Sequence, residues 1–264
     1  RHRLPEPSAG APSLVDEGGT IRIEGDGFTL VVDGATGELL DGSVSALAAL
    51  PSLHLTRFDF GDLAGPNAIP YEVLPKRETR KVESVTAAPT EGGVLLTVRE
   101  RFEGFAGETR WLIDRAGVGR VAYDYTYSGP DLAAREIGAR VLLRPECQSL
   151  SWRRWSEWGA YPADSVSRIE GTANAHREPG GGPDTEGLPP RWPWALDETE
   201  LGTADFRSVK LNVYRASLRA PDGQGVALDA DADAHVRACL DPAGVWMHLL
   251  RTCRLGPVAV HDGD

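Results

Sequence analysis

The chain has 264 residues, of which 41% are hydrophobic and 25% charged, a composition typical of a soluble globular protein. Its formal net charge of -11 argues against nucleic acids and membranes as partners, because both prefer a basic surface. No apolar run reaches the ~20 residues that a membrane-spanning helix needs. The length allows one large β domain or two small ones, and either could bury a proper core.

The chain begins with a proline-rich segment. Residues 1–13 are predicted to be a linker or a cut end, so the ordered domain should start near Leu14. The first strands are predicted over residues 20–23 and 28–32. The sequence Asp33–Gly37 has the form D-G-x-x-G, which is typical of a hairpin turn.

Regular alternation of apolar and polar residues extends from Val82 to Ser128 and predicts long antiparallel strands separated by glycine-bearing turns. Four side chains should share one face of the last of these strands: Val121, Tyr123, Tyr125 and Tyr127. A further strand is predicted over residues 137–143. No helical periodicity interrupts this half of the chain.

Tryptophan is concentrated in one segment of the second half. Trp152, Trp155 and Trp158 are spaced by three residues, and Tyr161 continues the spacing until Pro162. This spacing suits a helix of one or two turns, which the proline would end. Such a cluster indicates either a packed corner of the core or a platform for a sugar or another ligand.

Glycine and proline dominate residues 176–193, which predicts a long loop, and Trp192 and Trp194 follow at its exit. Strand patterns then resume from Val209. Together, the many strands and the rarity of helix predict an all-β fold, a large antiparallel β-sandwich with less than roughly 10% helix. We expect a single domain over residues 14–264, truncated at its C-terminal end because a strand pattern is still present near residue 260.

Other chemistry finds little support in the sequence. The six histidines are scattered without metal-ligand spacing, and no phosphate-binding or nucleophile motif is present, so no cofactor or metal is expected. Asp229, Asp231 and Asp233 resemble a calcium loop but lack its glycine and closing glutamate, which favours a solvated acidic turn. The three cysteines allow one disulfide and leave at least one free thiol.

Several separated motifs resemble the C-terminal, small-chain domain of β-galactosidase-like family 2 glycoside hydrolases. The sequence REIG at Arg135–Gly138 is followed by a strand and then by the Trp-rich segment, in which Tyr161, Asp164 and Arg168 match the motif's Tyr, Asp and Arg. Three further stretches are similar to that domain: Phe28–Leu40, Arg168–Ala173 and Gly202–Leu218. The likeness spans about residues 20–260, although Trp155–Trp158 replaces the family's R-G-P triplet and the Asp-to-Arg spacing is longer.

This resemblance implies a β-supersandwich of the galactose-mutarotase type that follows a catalytic (β/α)8 barrel. The barrel carries the two glutamates of a retaining glycosidase, so this chain alone would lack the catalytic pair. The implied partners are a carbohydrate and the barrel. Candidate residues for carbohydrate binding or domain docking are Trp155, Glu157, Trp158, Tyr161, Asp164, Arg168, Trp192, Trp194, Asp205 and Arg207.

Two alternatives stay open from the sequence. A free-standing aldose mutarotase or epimerase would need a general acid and a general base, usually Glu and His, and only Asn174–His176 comes close to that family's Asn-His pair. A stand-alone carbohydrate-binding module would use the tryptophans for sugar stacking. Asp205 with Arg207, and Asp164 with Arg168, could each either bind a ligand or hold a loop in place.

Overall fold

The computed structural model describes residues 10–43, 45–58, 71–130, 134–156, 168–175, 198–199 and 202–253. Strands account for 66% of these residues. The strands are β1 (Ser13–Glu17), β2 (Thr20–Gly25), β3 (Phe28–Asp33), β4 (Ser52–Phe58), β5 (Tyr71–Leu74), β6 (Lys81–Thr90), β7 (Gly93–Phe102), β8 (Phe105–Ile113), β9 (Gly119–Tyr127), β10 (Ala134–Leu143), β11 (Ser149–Arg154), β12 (Glu170–Asn174), β13 (Glu198–Thr199), β14 (Gly202–Thr203), β15 (Lys210–Arg219), β16 (Gly225–Asp241) and β17 (Gly244–Cys253).

Three antiparallel sheets build the sandwich, together with the short β13-β14 pair. The first has the order β1-β2-β3, and the second has the order β6-β7-β8-β9. The third contains eight strands in the order β12-β11-β15-β16-β17-β10-β4-β5. Within the described residues, helix is confined to the turns Arg77–Thr79 and Ala204–Arg207. The predicted all-β antiparallel sandwich is therefore confirmed.

Apolar side chains form three clusters that join these sheets. Ile23 and Leu30 of the first sheet pack with Leu96 and Ile113 of the second. Phe102 and Phe105 of the second sheet share another cluster with residues of β4, and the predicted tyrosine face of β9 packs against it. The third and largest cluster covers the eight-stranded sheet around Leu150, Phe206 and Met247.

Strand β10 lies in the interior of the eight-stranded sheet and is covered on both faces. Every residue from Gly138 to Leu143 is buried, as is Glu136. A strand with one solvated face would alternate between covered and exposed residues, as β9 alternates between partly buried and exposed ones. Consequently Glu136 and Arg140 must find their electrostatic partners inside the protein.

Two local predictions were wrong. Trp152 lies on strand β11 rather than on a helical turn, because Ser149–Arg154 pairs with both β12 and β15. The acidic residues Asp229, Asp231 and Asp233 lie along β16, not in a turn. Asp229 pairs with Arg215 of β15, and the strand is irregular between Asp229 and Ala234, where Ala232 has a φ of 61°.

Cys147 and Cys239 are both buried free thiols, so they do not pair with each other. Burial raises the pKa of the Cys147 thiol, which keeps it protonated at neutral pH. Among the described helices, none has the length and apolar composition needed to cross a membrane.

Candidate functional site: a buried ion pair beside an exposed tryptophan

Four of the ten candidate residues fall within the described part of the chain: Trp155, Arg168, Asp205 and Arg207. The other six lie outside the described residues: Glu157, Trp158, Tyr161, Asp164, Trp192 and Trp194. We expect Trp155 and Trp158 to lie at the same end of the sandwich as Trp192 and Trp194, and this stays a prediction because only Trp155 is described.

Arg168 and Asp205, which the sequence places in separate motifs, form one ion pair. The Arg168 Nη2 atom lies 2.9 Å from Asp205 Oδ2, and both side chains are about nine-tenths buried. The same Nη2 atom donates to the carbonyl oxygen of Thr172 at 3.1 Å. Arg168 and Asp205 therefore join two parts of the described chain that are 37 residues apart in sequence.

Lys210 completes the network from the first position of β15. Its side chain is fully buried, and its Nζ atom donates to the Asp205 carbonyl oxygen and to Ser208 Oγ at 2.7 Å. The Asp205 Oδ1 atom is 3.6 Å from Nζ. Burial lowers the pKa of Lys210 to about 8, while the Asp205 charge opposes this shift. The carboxylate of Asp205 thus holds two cations.

Trp152 provides the apolar floor of this network, and we call Trp152, Arg168, Asp205 and Lys210 the Trp152 cluster. The Arg168 guanidinium carbon lies 4.6 Å from the Trp152 ring centroid, and Lys210 Nζ lies 4.5 Å from it. Both distances are typical of cation–π contacts. Arg154 of β11 also donates its Nε–H to the Arg168 carbonyl oxygen at 3.0 Å. The cluster therefore ties β11 and β15 to Arg168, which precedes β12, and to the helical turn Ala204–Arg207.

Trp155 has a different environment from Trp152. It follows the last residue of β11, its backbone N–H donates to the Asn212 carbonyl oxygen at 2.8 Å, and 47% of its surface is exposed. An exposed tryptophan on an anchored backbone is a rigid apolar platform. Of the described candidates, Trp155 is therefore the residue best placed to touch a sugar or another domain.

Arg207 ends the helical turn Ala204–Arg207 that carries Asp205. It is half-buried, and its charge acts on Cys239 of β16. Burial raises the pKa of the Cys239 thiol, and the positive charges of Arg237 and Arg207 oppose that increase. That Asp205 and Arg207 together bind a ligand stays a prediction, while the Asp205 carboxylate lies within salt-bridge distance of Arg168 and Lys210.

A second polar cluster, which the sequence did not predict, lies on β4, β10, β16 and β17. We call it the His54 cluster, and its members are His54, Glu136, Arg237 and His248. Glu136 Oε2 accepts from Arg237 Nη2 at 2.8 Å and from His54 Nε2 at 3.2 Å. The rings of His54 and His248 stack with centroids 4.1 Å apart. At least 94% of the surface of each residue is buried.

Protonation in the His54 cluster follows from burial and charge. Burial alone would raise the pKa of Glu136, but the bond from His54 and the charge of Arg237 lower it, so Glu136 is ionised. Burial lowers the pKa of His54 to about 4 and that of His248 well below its ordinary value. A neutral His54 with its proton on Nε2 satisfies the ionised carboxylate.

Stability should fall as the pH decreases from 7 to 4. In the unfolded chain His54 takes up a proton near pH 6.5, whereas in the folded chain it does so only near pH 4. The stabilisation that comes from keeping His54 neutral is therefore complete above pH 6.5 and is lost as the pH falls to 4. A pKa shift of this size corresponds to about 3 kcal/mol in the free energy of unfolding. Urea unfolding at several pH values measures how steeply the free energy of unfolding changes with pH. The His54→Gln variant, which keeps a donor for Glu136, should show a shallower slope, and an unchanged slope would contradict the assignment.

No group of three or more His, Cys, Asp or Glu side chains in the described ranges is arranged to hold a metal ion. In comparisons with known proteins, the chain matches no protein-family model, and no curated protein matches it significantly.

Proposed function

We propose that this chain is the C-terminal accessory β-sandwich domain of a β-galactosidase-like family 2 glycoside hydrolase. In this role it packs on, or borders, the sugar site of a catalytic (β/α)8 barrel. The observation that carries the proposal is the Arg168–Asp205 ion pair. Arg168 and Asp205 belong to two of the motifs that resemble the family. They are 37 residues apart in sequence and form one buried contact. A shared structural role explains why both motifs occur in one chain.

Trp155 supplies the contact surface in this proposal. It lies directly after β11, whose Trp152 is the floor of the buried cluster, so the anchored core determines where the exposed ring is presented. Tryptophan faces pack on the apolar C–H faces of sugars, and exposed tryptophan is also enriched where proteins dock. A domain that borders the sugar site of a barrel would use Trp155 for both sugar stacking and docking.

A free-standing aldose mutarotase or epimerase is the second candidate, because His54 and Glu136 are the residue types that its acid–base chemistry uses. In the His54 cluster, however, these two residues bond to each other and Glu136 also binds Arg237. Acid and base would need to lie on opposite sides of a sugar ring. Two cavities among the described residues, of about 280 Å³ and 490 Å³, are lined by neither His54 nor Glu136. The geometry therefore favours the accessory domain.

The test uses the natural coding sequence that contains this chain, extended upstream of Arg1. We expect a barrel with two catalytic glutamates, and Trp155→Ala should lower kcat/KM for aryl β-galactosides about tenfold through lost stacking. Trp111→Phe, on the second sheet, is the matched control and should leave kcat/KM unchanged. Circular dichroism would check that both variants fold.

The chain as printed should not hydrolyse aryl β-galactosides, because the proposal places both catalytic carboxylates on the barrel. Polarimetry with α-D-galactose tests the second candidate directly. Mutarotation by the chain that is abolished by His54→Gln would replace our proposal with the epimerase. Sugar binding by the chain without any upstream barrel would instead identify a carbohydrate-binding module.

A further inference from the structure

A cavity of about 280 Å³ lies between the four-stranded and eight-stranded sheets. Val98, Glu100 and Phe102 of β7 form one wall, and the segment around Leu50 forms another. The third wall belongs to the eight-stranded sheet and consists of Arg140, Leu142 and Trp246. We call this the Arg140 cavity. It is three strands away from β11, which carries Trp152, so it is separate from the Trp152 cluster.

Arg140 is the distinctive residue of this cavity. Only 6% of its surface is exposed, and its Nε atom is buried without a hydrogen-bond partner. Within the described residues, no carboxylate forms a salt bridge with it. Its guanidinium carbon lies 4.6 Å from the centre of the Trp246 ring. Burial lowers the pKa of Arg140 to about 10, so the side chain is still charged at neutral pH.

The charges around the cavity compensate Arg140 only in part: Asp241 and Glu100 favour its charged form, but among the described residues neither forms a salt bridge with it. The buried carboxylate of Glu100 is already engaged, since it accepts from Arg80 Nε and from the Tyr125 hydroxyl at 2.6 Å each. Arg77 adds a second guanidinium, 5.3 Å from the Trp246 ring centroid. Glu38 also lines the cavity, but it is exposed. A buried charge needs a partner, so the cavity attracts an anion even though the chain as a whole is acidic.

We propose that the Arg140 cavity binds a small organic monocarboxylate about the size of one six-membered ring. Arginine pairs with a carboxylate in a bidentate geometry, and one negative charge neutralises one buried guanidinium. The volume is close to the lower limit for small-molecule sites, which excludes an oligomeric ligand. Apolar walls that include Leu53, Leu142 and Phe102 suit a ring and would oppose the burial of a strongly hydrated dianion such as phosphate.

Isothermal titration calorimetry of the whole chain at low ionic strength tests this site. The probes are D-glucuronate and benzoate, which carry the same carboxylate on a polyol ring and on an aromatic ring. Their neutral counterparts are D-glucose and benzamide, and inorganic phosphate tests for general anion binding. We expect at least one carboxylate to bind ten times more tightly than its neutral counterpart and than phosphate. Equal affinities within both pairs, or tighter binding of phosphate, would overturn the proposal.

Variants locate the binding. Arg140→Met should reduce carboxylate affinity at least tenfold, and Arg77→Ala should reduce it severalfold, while Arg120→Gln on exposed β9 should leave it unchanged. Ala49→Leu fills the cavity and leaves every arginine in place, so it should also abolish binding. If Arg140→Met fails to fold, the Arg77 and Ala49 variants decide the question. Full affinity in Ala49→Leu would show that the carboxylate binds elsewhere.

Discussion

Replacing Glu136 with alanine should lower the free energy of unfolding by about 3–5 kcal/mol at pH 7, because it leaves a buried positive charge without its partner. Arg237 has only 6% of its side chain exposed and donates to Glu136 at 2.8 Å. His54 would also lose the acceptor of its Nε2–H.

Urea denaturation followed by circular dichroism measures the Glu136 effect. Glu24→Ala is the matched control, because Glu24 pairs with Arg22 at 2.6 Å while both side chains are nearly half exposed. Exposed pairs contribute about 0–1 kcal/mol, so this control should hardly change the unfolding midpoint. If both variants lost a similar amount of unfolding free energy, the charge pairing of Glu136 with Arg237 would not stabilise the fold.

The strands could be predicted where one face of a sheet is solvated. The alternation of β9 from Val121 to Tyr127 matches its burial residue by residue. Prediction failed where tertiary pairing overrides local spacing. The three-residue spacing of Trp152 and Trp155 suits a helix, but β12 and β15 pair with β11 on both sides and hold it extended.

The candidate site was predictable only in part, for a related reason. Sequence motifs identified Arg168 and Asp205, but only the fold shows that they are each other's partner. His54 lies between Leu53 and Leu55 on β4, so by pattern it belongs to a solvated face. That face is buried in the interior of the eight-stranded sheet, and strand periodicity carries no information about what covers it.

The two roles considered for Asp205, ligand binding and loop anchoring, have different consequences for stability. A ligand-binding residue can be replaced with little effect on folding, whereas an anchor cannot. The anchoring role is supported by the Asp205 carboxylate, which lies within salt-bridge distance of Arg168 and Lys210. The exposed Trp155 is then the part of this region that is free to contact a partner.

Asp205→Asn should therefore lower the free energy of unfolding by about 3 kcal/mol at pH 6, because Lys210 stays buried and charged without its carboxylate. Asp205 raises the pKa of Lys210, so the variant's lysine loses its proton at a pH below about 8. Neutral lysine needs no counter-charge, and the deficit should consequently be smaller at pH 9 than at pH 6. Asp233→Asn, in an exposed pair with Arg251, is the control and should change stability by less than about 0.5 kcal/mol. Urea unfolding at both pH values measures the deficit, and a deficit independent of pH would show that Asp205 acts through packing or its hydrogen bonds rather than through the charge of Lys210.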